Sequence, residues 1–259
     1  MSIRLIDSFI PIPKIQEIFE QKFKQLIENN KRLTHLKIYL ELENQNLKNS
    51  LFKHITELDQ LVCLTFGGYQ WIDINVNLRQ LSLKCLKIKC LNVCNSMNCL
   101  DKLKSFMTEV NKFKHLETLE FGLDLQPNEV LKPINQYFNG FQCLTHLTID
   151  LFSYQTIKND FLKDIDKSLP KLRFFCIESN YYPIEVSQQS INSLGRLSRL
   201  ESIQLCVNNE SILALITDKI KKNCKKIKTI DITVEDIVED DSDFNLDFNS
   251  DEETDSDED

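Results

Sequence analysis

The chain has 259 residues, 42% of them hydrophobic, and only 5 glycines, which supplies ample core and argues against a glycine-rich nucleotide cradle. The formal charge of −8 is unevenly placed: Glu235 to Asp259 holds 14 acids and no Lys or Arg, leaving a body with 31 basic and 25 acidic residues. No run of 18 apolar residues occurs and Asp7 interrupts the start, so no spanning helix or secretory leader is expected; cytoplasmic and/or nuclear localisation is.

In chain order, residues 1–32 read as an N-terminal cap. Ile15, Ile18, Phe19, Phe23, Leu26 and Ile27 fall on one helical face between Lys14 and Asn30, after Pro11 and Pro13. A strand is expected before them, near Arg4 to Ile10, with Leu5 lying 28 residues ahead of Leu33.

From residue 33 the pattern apolar-x-x-apolar-x-apolar recurs. It occurs at Leu33/Leu36/Ile38, Leu61/Leu64/Phe66, Ile88/Leu91/Val93 and Leu116/Leu119/Phe121. It continues at Leu144/Leu147/Ile149, Leu172/Phe175/Ile177, Leu200/Ile203/Leu205 and Ile227/Ile230/Ile232. The spacings are 28, 27, 28, 28, 28, 28 and 27 residues. Alternation at the fourth and sixth positions predicts a short strand with one buried face.

Between strands, apolar residues fall at helical spacing. Leu47, Leu51, Phe52, Ile55 and Leu58 form one set, and Leu100, Leu103, Phe106, Met107 and Val110 another. Val130, Leu131, Ile134, Tyr137, Phe138 and Phe141 predict a third helix, and Ile212, Leu213, Leu215, Ile216 and Ile220 a fourth. Leu78/Leu81/Leu83 offers a rival strand register and is assigned to the helical side. Each unit has one strand and one helix and cannot bury its apolar faces alone, so stacking gives a parallel sheet with a shared core.

This period and motif resemble the ribonuclease-inhibitor and F-box-associated leucine-rich repeats over about residues 30–234. The resemblance implies an α/β solenoid, a curved parallel sheet inside and helices outside, of about eight repeats over 33–237; the acidic tail over 238–259 is too charged and too poor in apolar residues to fold alone and is expected to be disordered. The ninth repeat position departs from the family's Asn or Cys: it reads Glu41, Tyr69, Ser96, Asp124, Phe152, Asn180, Asn208 and Glu235. The F-box itself is not seen.

Cys85, Cys90, Cys94 and Cys99 lack paired Cys-x-x-Cys knuckles. Cys90 and Cys94 lie roughly 13 Å apart along one strand, too far to share a tetrahedral zinc. No metal or cofactor is expected, and the nine cysteines read as reduced thiols. His35, His54, His115 and His146 have no nucleophile or carboxylate beside them in a triad-like pattern and are read as surface or binding-face histidines. The chain is therefore not expected to be an enzyme. Asn209-Glu210-Ser211 is read as a chance glycosylation sequon.

The outward strand positions are the best functional candidates: His35, Lys37, Tyr39, Asn92, Glu120, His146, Asp150, Phe174, Glu178, Gln204 and Asp231. Acids gather from the fourth repeat onward, and Phe174, beside Tyr154 or Tyr181 and Tyr182, is a candidate aromatic anchor. The expected partner is an unidentified protein on this concave face, with no membrane and no nucleic acid. The basic run Lys219, Lys221, Lys222, Lys225, Lys226 and Lys228 lacks interleaved aromatics and sits just before the acidic tail, which favours neutralisation by that tail or solvation.

Ser250, Thr254 and Ser256 each precede an acid by three residues and are candidate phosphorylation sites; Phe244, Leu246 and Phe248 are a candidate docking motif. The F-box resemblance implies recognition of a protein destined for ubiquitin transfer. The acidic nuclear leucine-rich phosphoproteins, which also join repeats to an acidic tail, imply instead a histone-binding or chaperone role for the tail with basic proteins. A likeness in period to the Ran GTPase-activating protein lacks that family's Asn-rich loops.

Overall fold

The computed structural model describes residues 1–6, 13–41, 44–67, 74–124, 131–152, 160–179 and 183–235. Nine strands among them form one sheet, paired in chain order and parallel throughout. They are β1 (Ser2–Ile6), β2 (His35–Glu41), β3 (Cys63–Gly67), β4 (Cys90–Met97), β5 (Thr118–Leu123), β6 (His146–Leu151), β7 (Phe174–Ser179), β8 (Ser202–Val207) and β9 (Thr229–Val234). Among the described residues seven α-helices lie between strands: α1 (Pro13–Asn29), α2 (Gln45–Ile55), α3 (Ile74–Lys84), α4 (Leu100–Val110), α5 (Ile165–Ser168), α6 (Gln188–Leu194) and α7 (Glu210–Asn223). A parallel sheet alternating with helices is compatible with a repeat solenoid.

The apolar motif determines which face is buried. From Leu36/Ile38 to Ile203/Leu205 the fourth and sixth positions are at most 2% exposed, and each would stabilise the fold by about 1.5–3 kcal/mol relative to solvent exposure. Corresponding motif residues are lateral neighbours: Leu64 pairs with Leu91, Leu119 with Leu147, and Ile149 with Ile177. The helices cover this face, as Phe52 of α2 meets Phe66 edge-on at 5.3 Å and Phe106 of α4 meets Phe121 at 5.6 Å. Leu78 and Leu81 lie buried on α3 while Leu83 is 70% exposed, so that stretch belongs to the helical side.

The missing asparagines at the ninth position are accompanied by a backbone ladder at the second position. Thr34 O accepts the N–H groups of Val62 and Cys63, and Val62 O accepts those of Lys89 and Cys90. The series continues through Lys89, Glu117, Thr145, Arg173 and Glu201 to Lys228. Each carbonyl uses both lone pairs, so the strand entrances are satisfied without a particular side chain. Helix starts use side chains instead: Asn44, Ser187 and Asn209 accept the N–H groups of Leu47, Ser190 and Ile212 at 3.0, 3.2 and 2.8 Å. The Asn209 sequon thus has a structural role as an N-cap.

Three expectations need correction, and one strand pair shows a register slip. The first strand is Ser2–Ile6 and pairs Ile3 with Ile38, an offset of 35 residues rather than 28. The cause is α1, which at 17 residues is longer than the 11 residues of α2, α3 or α4. The helix expected over 130–141 is, among its described residues, only a 3₁₀ turn at Ile134–Gln136. Pro133 disfavours helical backbone at Lys132, and Gly140, at φ 113°, turns the chain out of the helical region. The few residues left between them are too short to propagate an α-helix, yet Leu131, Ile134, Phe138 and Phe141 remain buried.

His54 is not a surface histidine: it is 9% exposed on α2, with Nε2 3.8 Å from Glu20 and Nδ1 3.5 Å from Glu57. Finally, β4 slips relative to β5, so that Gly122 faces Ser96 rather than Cys94. A shift of two residues preserves the in–out alternation, and Met97 joins the core opposite Leu123.

Candidate functional site

Because successive strand side chains point to opposite faces, burying the fourth and sixth motif positions turns the third, fifth and seventh to the face opposite the helices. His35, Lys37, Glu178, Gln204 and Asp231 are exposed there, while Tyr39, Asn92, Glu120, His146, Asp150 and Phe174 are partly exposed. Parallel pairing makes these residues lateral neighbours instead of isolated positions along the chain.

The His146 and Phe174 rings stack at 4.1 Å between centroids with 11° between planes. Both occupy the third motif position and pair directly across β6 and β7. Thr145 fixes the histidine: its hydroxyl lies 2.8 Å from His146 Nδ1 and donates to the Glu117 carbonyl at 3.1 Å. With the hydroxyl proton directed to that carbonyl, both contacts are satisfied when Nδ1 carries the imidazole proton. Burial and then the Arg173 charge push His146 below its ordinary pKa, which favours this neutral ring. The Arg173 guanidinium lies 5.6 Å from the Phe174 ring centre. Tyr154, Tyr181 and Tyr182 lie outside the described residues.

Above the platform sits an acidic group. Asp150 pairs with Glu178 across β6 and β7, and Glu120 stands on neighbouring β5. Burial, reinforced by Glu120 and Glu178, pushes the Asp150 carboxyl up to about 6. Cys176 beside them is pushed to about 12, by burial first and then by Glu178, so it is a thiol at neutral pH. Lateral pairing with β8 stops before Glu178: the β7–β8 register runs only to Cys176–Gln204, and Ile184 bridges Val207 instead.

The opposite end of the face is different in charge. Lys37 lies 5.2 Å from the Tyr39 ring centre, and Tyr39 Oη lies 3.7 Å from Cys94 Sγ. Tyr39 reaches Cys94 across Gly67, where an added Cβ would sit 2.8 Å from Cys94 Cβ and 3.1 Å from the Tyr39 ring. The face therefore runs from Lys37 and an aromatic at β2 to an aromatic platform and carboxylates over β5 to β7.

A bordering feature was missed in the sequence. Along the second motif position, Lys89 Nζ bonds Glu117 at 2.8 Å; farther on, Glu201 accepts from Arg173 Nε at 2.5 Å and Lys228 Nζ at 2.8 Å. Arg173 first, then Lys228, holds the Glu201 carboxyl at about 2. The signal was present, since these residues are 27 or 28 apart and of opposite charge.

The cysteine cluster is dispersed. Cys85 is buried, with Sγ 3.9 and 3.8 Å from the Ile55 and Thr56 carbonyls; Cys90 and Cys94 share β4, and Cys99 precedes α4. Among the described residues no three His, Cys, Asp or Glu side chains are placed to hold a metal ion, and no helix is long and apolar enough to cross a membrane. Ser250, Thr254 and Ser256 lie outside the described residues. No protein-family model matches the chain, and no curated protein matches its sequence.

Proposed function

We propose that the chain is a leucine-rich-repeat solenoid that holds a protein partner on its open strand face and catalyses no reaction. The observation that carries this reading is the His146–Phe174 stack, an ordered aromatic platform left partly exposed beside Asp150 and Glu178. Rigid aromatic surface contributes contact area at low entropic cost, and adjacent carboxylates favour a partner segment that carries Lys or Arg. Lys37 at the far end adds polarity, which fixes the direction in which an extended partner lies. Holding a substrate for ubiquitin transfer, as F-box repeats do, is one use of such a face.

The test is affinity purification with mass spectrometry on three forms: the intact chain, Phe174→Ala with Glu178→Lys, and a chain ending at Glu235. A partner lost from the face variant but retained without the tail supports the proposal. A second reading, basic-protein binding by the tail, rests on the 14 acids from Glu235 onward. It predicts the reverse outcome: histones or other basic proteins bound by the face variant and lost with the tail.

A further inference from the structure

Strand β9 ends the sheet order, and among the described residues it is paired on one side only. Its core row is also less covered than any other. In the seven preceding repeats the sixth-position side chains, from Ile38 to Leu205, are no more than 1% exposed. On β9 the residues Ile230, Ile232 and Val234 are only partly buried. Ile230 and Ile232 line an open cleft of about 470 Å³ together with Leu213 and Thr217 of α7 and with Ile227. The last apolar layer of a repeat stack needs a cover, and an open strand edge is a template for another strand.

The backbone along that edge has a defined pattern. In a parallel ladder every second residue turns both its N–H and its C=O toward a given neighbour. Thr229 and Glu235 donate to the Glu201 and Val207 carbonyls on the β8 side, each at 3.1 Å. Ile230, Ile232 and Val234, which alternate with them, therefore turn their N–H and C=O groups to the open edge.

We infer that a second copy of this chain covers the β9 end, the two β9 strands pairing antiparallel about a two-fold axis at Ile232. The first support is symmetry: Thr229-Ile230-Asp231-Ile232-Thr233 reads the same in both directions, so a self-complementary contact pairs like with like. The second is register. An axis at Ile232 sets Ile232 against itself and each Ile230 against the second copy's Val234. All three outward-turned residues then form hydrogen-bonded pairs, about six bonds in total, and the apolar row continues from one copy into the other. An axis at Asp231 would leave Val234 without an apolar match and set Asp231 against Asp231, a destabilising like-charge pair.

The third support is charge. Lys225, Lys226 and Lys228 stand exposed at the start of β9 and Glu235 at its end. An antiparallel course carries each Glu235 to the lysine-rich start of the other strand, whereas a parallel course would bring lysines to lysines. The pairing lies in the plane of the sheet, so it leaves the strand face with His146 and Phe174 open in both copies.

The test is sedimentation velocity on the full-length chain from roughly 1 to 100 μM, a range that detects a dimer of micromolar Kd. A concentration-dependent shift from monomer to dimer is expected. Position 233 reads the register, because Thr233 is exposed and would face the second copy's Asp231. Thr233→Lys should tighten the dimer several-fold and Thr233→Asp should weaken it about tenfold, with thermal melts confirming that both variants fold. A chain that stays monomeric at the highest concentration overturns the inference and leaves β9 to another occupant, residues 236–259 of the same chain included. A dimer indifferent to both substitutions overturns it equally, because its contact would lie elsewhere.

Discussion

The His146 ring lies flat against Phe174 at 4.1 Å, held from behind by Thr145. Neither ring is needed for the buried layer, because the core positions beside them are Leu147 and Phe175, each 1% exposed. Phe174→Ala should therefore weaken partner binding at least tenfold, or ~1.4 kcal/mol, while moving Tm by only a few degrees. Titration calorimetry on the purified complex, beside thermal melts of the free variant, separates the two effects. A variant that loses much Tm and little affinity would make the stack structural instead.

Asp150 makes the face sensitive to pH. Its folded-state pKa, about 6, is above the ordinary carboxyl value of 3.8, so its contribution to stability is full below the lower value and is lost as pH rises through about 6. Asp150→Asn should be the more stable protein at pH 8, with the gap closing below pH 4 in urea titrations. Binding to a basic partner should run the other way, weakening in the parent chain as pH falls through 6. Affinity that stays flat between pH 5 and 8 would remove Asp150 from the contact.

Glu201 has the opposite sign. Arg173 and Lys228 depress its carboxyl from 4.5 to about 2, so its contribution is present above 4.5 and lost as pH falls toward 2. Glu201→Gln should be less stable than the parent at pH 7, with the difference shrinking below pH 4.5. Parallel stability curves at pH 7 and pH 3 would contradict the ion-pair row.

Gly67→Ala tests the close approach under Tyr39. The added Cβ would sit 2.8 Å from Cys94 Cβ, an atom next to the backbone of β4 that has little freedom to move. A loss of ~1–3 kcal/mol in chemical denaturation is expected, together with displacement of Tyr39. Unchanged stability would mean that β3 and β4 move apart freely at this point.

The parallel order of the strands was legible because each strand carries its own local signal, and Leu64, Leu91 and Leu119 need only alternation to choose a face. Residues 130–141 misled for an instructive reason. Their apolar spacing correctly marks which side chains are buried, but Pro133 and Gly140 decide the backbone. The ladder from Thr34 to Lys228 was hidden because carbonyls do the work, independently of side-chain identity. The stack of His146 on Phe174 was half visible: both residues were recognised on the outward face, and their contact follows once equivalent motif positions are placed side by side. The partial exposure of Ile230 and Ile232 was not legible, since their motif is as regular as any other.

Hydroxyl-radical footprinting of the free chain and of its purified partner complex tests the role of the open face most directly. Tyr39 and Phe174 should become protected from oxidation on binding, while Leu83 and Leu86, 70% and 67% exposed on the helical side, stay reactive. Protection of Leu83 and Leu86 with Tyr39 and Phe174 unchanged would place the partner on the helices and contradict the proposed function.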